Sequence, residues 1–268
     1  MDARLDRWHE DLALIKQAAL EAGQVALAYF GQEPEVWWKN EGRSPVSAAD
    51  FAANDKLQGM LMAARPDYGW LSEETDDDAA RLSKETLFVV DPIDGTRAFI
   101  AGQKTWCVSV AVVHRGRPVA GVLVAPALGE EFSAEISGPA IKNGHAIEVA
   151  KPLESEPLKL AVAEDVLKLV QPEHRNSVHR IRHVPSLAYR LAMTADGTID
   201  GTIVKRNSHD WDLAAADLIL ERAGGRLVDA SGELLIYNRE SVKHGVLRAG
   251  AGHALDKLRM FMPDDPTD

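Results

Sequence analysis

The stretch Leu87-Phe88-Val89-Val90-Asp91-Pro92-Ile93-Asp94-Gly95-Thr96 is the most informative part of this chain. Its first four residues are apolar and predict a buried strand. The next residues, Arg97-Ala98-Phe99-Ile100, can begin a helix. Two aspartates three positions apart, with a proline between them, are therefore expected where a strand ends and the chain turns. Binding sites are commonly held at such places by the rigid scaffold around them.

The residues of this motif leave two interpretations of Asp91 and Asp94 open. Asp-Pro and Asp-Gly are ordinary turn formers, so the pair fits a purely structural turn. Two like charges held close together also repel unless a cation or a proton neutralises them, and carboxylates without softer ligands suit Mg²⁺ or Mn²⁺. The backbone N–H groups of Gly95 and Thr96, near a helix N-terminus, favour a phosphate. Metal and phosphate together indicate phosphoryl chemistry.

Composition narrows the class of protein. The 268 residues are 46% hydrophobic and 26% charged, which is normal for a globular enzyme of one or two domains. The net charge of −11 argues against a basic nucleic-acid-binding surface. No apolar run is long enough to span a bilayer, and the charged N-terminus lacks a signal-peptide core. We therefore expect a cytoplasmic protein with no membrane and no nucleic-acid partner, and we expect the single cysteine, Cys107, to be a buried small hydrophobe.

Hydrophobic periodicity predicts the elements of the first half. Apolar spacing over residues 5–29 predicts a long amphipathic helix, and Ser47 begins a second helix that continues to about Ala64. The predicted strands are Val36–Trp38 and a hairpin formed by Thr105–Val113 and Val119–Val124. This half is expected to place two helices on an antiparallel sheet.

The second half predicts strands that alternate with helices. The predicted elements are a strand over Leu158–Ala163, helices over Leu187–Ala195 and Asp212–Ala223, and a strand over Arg226–Val228. A polar stretch from Lys142 to Pro157 is the best boundary candidate. We therefore predict an α+β domain over residues 1–145 and an α/β domain over residues 146–268.

Three further acidic features have ordinary structural interpretations when taken singly. Glu73-Glu74 follows an apolar stretch, and Ser47-x-x-Asp50 is typical of a capping box. Asp212 lies at or near a helix start, where an aspartate is most often an N-cap or a first-turn charge. The nine histidines lack a clear zinc spacing, and His209 is interpreted as a loop residue.

Taken together and in this order, Ser-x-x-Asp, Glu-Glu, Asp-Pro-Ile-Asp-Gly-Thr and Trp-Asp-x-Ala-Ala resemble the motifs of the inositol monophosphatase family. Members of this family are Mg²⁺-dependent, lithium-sensitive phosphomonoesterases. The resemblance extends from the first helix to Gly224-Gly225 and implies an alternating α-β-α-β-α layered sandwich, of mixed α+β and α/β character, in a homodimer. It also implies a small phosphorylated metabolite as partner, two or three Mg²⁺ per active site with Mn²⁺ as a substitute, and inhibition by Li⁺ or Ca²⁺.

The resemblance implies roles for the two domains and for individual residues. The domain over residues 1–145 would hold the main metal site, and the domain over residues 146–268 would contribute Asp212 and the substrate pocket. Glu73, Asp91 and the Ile93 carbonyl would hold one Mg²⁺, and Asp91, Asp94 and Asp212 would hold a second. Thr96, oriented with Asp50, would position the attacking water, while the Gly95 and Thr96 amides would hold phosphate oxygens. Lys39 and Glu74 would lie close behind the metal ligands. Two metals about 4 Å apart can activate a water and stabilise the leaving oxygen, so no protein nucleophile is needed.

The residues that would select the substrate depart from the inositol pattern. Inositol monophosphatases usually follow the aspartate motif with Thr-Asn-Phe, whereas Arg97-Ala98-Phe99-Ile100 is more like the 3′(2′),5′-bisphosphate nucleotidase branch. Seven positions before Asp212, where inositol-specific enzymes tend to place a glutamate, this chain has Lys205 followed by Arg206.

A basic pair at this position could receive the second phosphate of 3′-phosphoadenosine 5′-phosphate. Lys205 and Arg206 also fit a solvated loop pair. Inositol 1-phosphate and histidinol phosphate stay open as substrates, as does a non-catalytic regulatory binding protein. The complete carboxylate set argues against the last of these.

Overall fold

The structure, a computed structural model, describes residues 3–32, 36–39, 44–182 and 184–261. The α-helices in these ranges are α1 (Ala3–Tyr29), α2 (Ala48–Ala64), α3 (Thr96–Ile100), α4 (Glu164–Leu169), α5 (Leu187–Ala195), α6 (Asp210–Arg222) and α7 (Gly252–Phe261). Among these described residues, no helix is both long and apolar enough to cross a bilayer.

The larger sheet has seven strands that follow one another in sequence order. They are β3 (Gly69–Ser72), β4 (Thr86–Asp94), β5 (Cys107–His114), β6 (Arg117–Ala125), β7 (Glu130–Glu135), β8 (Ile141–Lys142) and β9 (His145–Ala146). β3 and β4 run parallel and every later neighbour pair is antiparallel. Sequential antiparallel pairing needs only short hairpins, such as the turn at Arg115-Gly116, where both residues have positive φ.

The smaller sheet has five strands in the order β11-β10-β12-β16-β14. These are β10 (Leu158–Leu160), β11 (Val178–Arg180), β12 (Gly201–Val204), β14 (Arg226–Val228) and β16 (Leu247–Gly250). Two short pairs lie outside both sheets, namely β1 (Val36–Lys39) with β2 (Ser44–Ser47), and β13 (Ser208–His209) with β15 (Lys243–His244).

The side chains of β4 alternate between the two faces of the larger sheet, and this alternation explains how five layers form. Phe88 and Val90 face the core that α1 and α2 complete, whereas Leu87 and Val89 face the core that α5 and α6 complete. α5 and α6 also contact the smaller sheet, whose other face packs on α4 and α7. The predicted α-β-α-β-α sandwich is confirmed. The larger sheet ends at β9 and the smaller begins at β10, on either side of residue 150; the division into two domains stays a prediction.

Most predicted elements are present with small differences in length. α5 and β14 match their predictions, and Cys107 is fully buried. The ends of α1, β1, α2 and β6 lie within two residues of the predicted ones. β5 begins at Cys107 rather than Thr105, and β10 ends at Leu160 rather than Ala163. The most consequential difference is at β4, which continues past Val90 to Asp94 instead of ending before the aspartates.

Candidate active site

A β-bulge explains why Asp91 and Asp94 lie together. In a regular strand, residues three positions apart point to opposite faces. Here Asp91 pairs with Ser109 and Asp94 with Cys107, so β4 carries one residue more than β5 over this interval. The extra residue brings both carboxylates to the same side, and Pro92 is tolerated because a bulge removes the need for its N–H. The motif is therefore a strand irregularity rather than a turn.

Three carboxylates from two layers converge at this bulge. One carboxylate oxygen from each of Asp91, Asp94 and Asp212 lies within 4.8 Å of the other two. They line a cavity of about 180 Å³ together with Glu73, Gly95, Thr96, Arg97 and Pro185. Asp91 and Asp94 come from β4, Glu73 follows the end of β3, and Asp212 lies in the first turn of α6. The structure thus brings together all four acidic side chains that the family resemblance assigns to metal.

The start of α5 fixes the orientation of Asp94. The Ser186 hydroxyl and the Ala188 backbone N–H, at 2.6 Å, both donate to Asp94 Oδ2. Ser186 also caps α5 by accepting a hydrogen bond from the Tyr189 N–H. Gly95 makes this approach possible, since its φ is 95° and a Cβ there would lie 2.9 Å from the Ser186 Cβ.

The electrostatics of the cavity favour a cation. Burial, followed by the charges of Glu73, Asp94, Asp212 and Asp50, raises the pKa of Asp91 well above its ordinary value. Burial and the Asp212 charge raise the pKa of Asp94 to about 7, against hydrogen bonds that lower it. Carboxylates that repel one another in this way are neutralised by protons or by a hard divalent cation. An all-oxygen donor set of this kind fits Mg²⁺.

Asp212 has a structural role as well as its place in the cavity. Its Oδ2 accepts a hydrogen bond of 2.7 Å from the His209 N–H, which closes the capping box of α6. The helix begins at Asp210, two residues before the predicted start. His209 is not a loop residue: it pairs in β13, caps the helix and stacks on Trp211 with ring centroids 4.6 Å apart. The capping box was missed because a histidine is an unusual residue at this position.

Thr96 connects the cavity to the first turn of α2. Its hydroxyl lies 3.1 Å from Asp50 Oδ1 and 3.1 Å from the Ile93 carbonyl. Asp50 Oδ2 accepts from the backbone N–H of Ser47, as the capping box predicts, and also from the Ser47 hydroxyl. The hydroxyl proton of Thr96 is therefore donated to an oxygen of the protein itself. A lone pair of the Thr96 oxygen can then accept a hydrogen bond from a molecule in the cavity.

Of the remaining predicted site residues, some lie near this cavity, and one has a side chain outside the described part of the structure. Glu74 follows Glu73, and its backbone N–H donates to the Ser72 hydroxyl at 3.3 Å. The backbone of Lys39 belongs to β1, and its side chain lies outside the described part of the structure. Lys205 and Arg206 line a neighbouring cavity of about 240 Å³ that shares Pro185 with the acidic one.

Two residues of this neighbouring cavity were missed by sequence reasoning. Arg190, on α5, is almost fully buried, and burial lowers its pKa to about 10, so that it remains a cation at neutral pH. Ser208 is buried, and its hydroxyl has no hydrogen-bond partner among the described residues. A signal for Arg190 existed, since it is the one charged residue in the predicted helix Leu187–Ala195. We call Arg190, Lys205, Arg206 and Ser208, with the walls around them, the basic pocket.

Comparison with known proteins identifies the family. The sequence model of the inositol monophosphatase family matches residues 8–259. The chain belongs to the inositol monophosphatase family. Its members are phosphomonoesterases, and they depend on Mg²⁺, which the acidic cavity fits.

Named relatives of this family member differ in their stated substrates. An inositol-1-monophosphatase of Mesorhizobium japonicum is 32% identical, with 87% of this chain and 91% of the relative aligned. A histidinol-phosphatase of Chlorobaculum parvum is 31% identical over 87% of this chain and 90% of the relative. A 3′(2′),5′-bisphosphate nucleotidase CysQ of Aggregatibacter actinomycetemcomitans is 28% identical over 83% and 86%.

A solved structure supports the fold over nearly the whole chain. The extragenic suppressor protein suhB from Bartonella henselae superposes with a TM-score of 0.82 at 29% identity, covering 96% of this chain and all of the other. The family and the fold are thereby established.

Proposed function

We propose that this family member is a Mg²⁺-dependent 3′(2′),5′-bisphosphate nucleotidase that converts 3′-phosphoadenosine 5′-phosphate to AMP and phosphate. The proposal rests on two neighbouring cavities of opposite charge, which share Pro185 as a lining residue. One is lined by four carboxylates, and the other contains Arg190, Lys205 and Arg206. A substrate with two phosphates on one small scaffold would place one in each.

The basic pocket has the chemistry of a site for a second phosphate. Charge-assisted hydrogen bonds from arginine and lysine to phosphate are among the strongest available in proteins. Ser208 adds a buried hydroxyl without a hydrogen-bond partner among the described residues, and a phosphate oxygen would satisfy it. A polyol has no charge to pair with these cations. This is why the basic pocket favours a bisphosphate over inositol 1-phosphate.

The roles that we propose in the acidic cavity follow the family resemblance. Glu73, Asp91, Asp94, Asp212 and the Ile93 carbonyl would hold two Mg²⁺, and a third is compatible with the family. The bound cations would supply Lewis acidity, which lowers the pKa of a coordinated water and neutralises charge on the phosphate. Thr96, held by Asp50, would accept a hydrogen bond from the attacking water and orient it. The N–H groups of Gly95 and Thr96 would donate to phosphate oxygens.

Several narrower proposals rest on the same resemblance. We expect Mn²⁺ to substitute for Mg²⁺ and both Li⁺ and Ca²⁺ to inhibit. A homodimer and a cytoplasmic location also stay predictions. A non-catalytic role remains the alternative from a different class, and the convergence of the four carboxylates in one cavity supports catalysis instead.

Phosphate release with Mg²⁺ from three substrates tests the proposed specificity. We expect kcat/KM to be highest for 3′-phosphoadenosine 5′-phosphate, above inositol 1-phosphate and histidinol phosphate. Lys205→Gln should lower kcat/KM for the bisphosphate about tenfold or more, because one charged hydrogen bond is worth about 1.5 to 3 kcal/mol. It should leave inositol 1-phosphate hydrolysis nearly unchanged.

Lys151→Gln is the matched control, since Lys151 is an exposed lysine in an i,i+3 pair with Glu148. A preference for inositol 1-phosphate or histidinol phosphate would refute the bisphosphate proposal while the phosphatase activity stood. No activity on any ester would refute the enzymatic reading of this chain.

A further inference from the structure

A buried polar network links the connection between β3 and β4 to the first residue of α6. Arg81 is in the connection between β3 and β4, eight residues after Glu73, and is 3% exposed. Its Nε and Nη2 donate to the two carboxylate oxygens of Asp77 at 2.5 and 2.7 Å. Its Nη1 donates to Asn238 Oδ1 at 2.8 Å and to the Arg239 carbonyl at 3.0 Å.

The network continues from Asn238 to the first residue of α6. The Asn238 backbone N–H donates to Asp210 Oδ2 at 2.8 Å, and its side-chain amide donates to the Arg81 carbonyl. The other oxygen of Asp210 lies 2.7 Å from Nε2 of His244. Asp210 and His244 are both buried, at 1% and 6% exposure. Both oxygens of the Asp210 carboxylate are therefore bonded inside the protein.

The network links two segments of the chain, the connection between β3 and β4 and the first turn of α6. Each of these segments contributes one acidic side chain to the cavity, in addition to the two aspartates of β4. Glu73 opens the connection that contains Asp77 and Arg81, and Asp212 is one residue past Trp211 in the turn that Asp210 begins.

Asp91, Asp94 and Asp212 repel one another before a cation arrives. The first turn of α6 is therefore held by other contacts. The Trp211 carbonyl accepts a hydrogen bond of 3.2 Å from the Ser109 hydroxyl of β5. Asp210 is joined through Asn238 to Arg81 in the connection between β3 and β4. A buried ionic network is a costly way to gain stability alone, and its fixed geometry is its best-supported advantage.

We propose that Arg81, Asn238, Asp210 and His244 position Glu73 and Asp212 for divalent-cation binding. These are positioning residues, and none of them lines the acidic cavity. The inference rests on the proposed metal site and goes beyond it, because it assigns a role in metal affinity to four residues that the sequence motifs do not contain. Partners that orient ligands in this way typically change metal affinity or activity about 10- to 100-fold when they are lost.

Two substitutions break the network at different points. Arg81→Lys keeps the charge but loses the planar fork that serves Asp77 and Asn238 at once. Asn238→Gly removes the amide bridge and keeps the backbone N–H to Asp210, and glycine suits the φ of 58° at this position. Arg115→Lys is the matched control, because Arg115 makes an exposed ion pair with Glu85 at 2.8 Å.

Calorimetric titration of the metal-free, folded protein with Mg²⁺ is the direct test. We expect Arg81→Lys and Asn238→Gly each to raise the Mg²⁺ Kd about tenfold, with kcat at saturating Mg²⁺ within about twofold of wild type. Arg115→Lys should bind Mg²⁺ as the wild type does. If Arg81→Lys does not fold, Asn238→Gly carries the test.

Unchanged Mg²⁺ affinity in the folded variants, with only a lower Tm, would overturn the inference and leave the network a purely structural one. A lower kcat at saturating Mg²⁺ without a change in Kd would overturn it as well. Failure of the wild type to bind Mg²⁺ would be distinguishable from both, since it would refute the metal site itself and this inference with it.

Discussion

At the scale of single residues, Gly95 is a position where the site has no room for a side chain. Its backbone is left-handed, and a Cβ would lie 2.9 Å from the Ser186 Cβ and 3.2 Å from its Cα. Asp94 depends on the same serine for a hydrogen bond. A side chain at residue 95 would therefore disturb a carboxylate of the cavity as well as strain the backbone.

Gly95→Ala should lower the free energy of unfolding and the phosphatase activity together. We expect about 1 to 2 kcal/mol from the left-handed backbone and a further 1 to 3 kcal/mol, roughly, from the clash. Gly102→Ala is the control, because Gly102 has a φ of 66° and open space around it. Urea unfolding of both variants separates the backbone contribution from that of the clash. An equal loss of unfolding free energy in Gly95→Ala and Gly102→Ala would show that the contact with Ser186 carries no cost.

Asp217 makes the stability of the folded protein depend on pH, and this residue is not one of the proposed metal ligands. It is fully buried on α6, and burial raises its pKa to about 6, against Arg117 and Tyr237, which lower it. The folded protein therefore holds this proton more tightly than the unfolded chain, whose pKa is near 3.8. Stability from this residue is present at low pH and is lost as the pH rises from about 4 to 6.

Asp217→Asn should remove this loss. One pKa unit corresponds to about 1.4 kcal/mol, so the variant should gain about 3 kcal/mol relative to wild type between pH 4 and pH 7. Glu221→Gln removes the other carboxylate on Arg117 and controls for a lost ion pair. Denaturant unfolding across this pH range measures the difference. A constant difference would mean that the Asp217 pKa is not raised.

At the scale of elements, one hydrogen bond from the Thr96 hydroxyl joins the start of α3 to the start of α2. Thr96 begins α3 and bonds Asp50, which completes the capping box of α2. This contact joins residues 46 positions apart and sets the hydroxyl above the bulge of β4. The proposed role of Thr96 in orienting water depends on this junction.

Thr96→Val should lower kcat about 100-fold with little change in KM, since it removes the hydroxyl but keeps the shape. Thr96→Ser keeps the hydroxyl and should stay within about tenfold of wild type. Steady-state phosphate release at saturating Mg²⁺ distinguishes the two variants. Similar rates for both would contradict a role for the hydroxyl.

Sequence patterns located the elements better than their ends. Apolar residues recur at helical spacing along α1 and α5, so the pattern predicts both helices to within two residues at each end. β4 was expected to stop before Asp91 because Asp-Pro and Asp-Gly are turn formers, and tertiary pairing with β5 overrides that local preference. α6 was expected to start at Asp212 because His209 does not resemble a cap.

At the scale of the whole molecule, the family motifs place the acidic residues but not their surroundings. The four carboxylates could be predicted because they lie in short motifs that resemble a known family. The Arg81–Asn238 contact spans 157 positions, and no local pattern links its two residues. The basic pocket likewise combines α5 with the chain around β12 and β13, which only the fold brings together.

We expect the cavity between β4 and α6 to bind Mg²⁺. Calorimetric titration of the metal-free protein with Mg²⁺, for wild type and Asp91→Asn, tests it most directly, with exposed Asp55→Asn as the matched control. We predict binding by wild type and Asp55→Asn, and an affinity at least about 100-fold weaker in folded Asp91→Asn. Equal Mg²⁺ affinity in wild type and Asp91→Asn would contradict the claim.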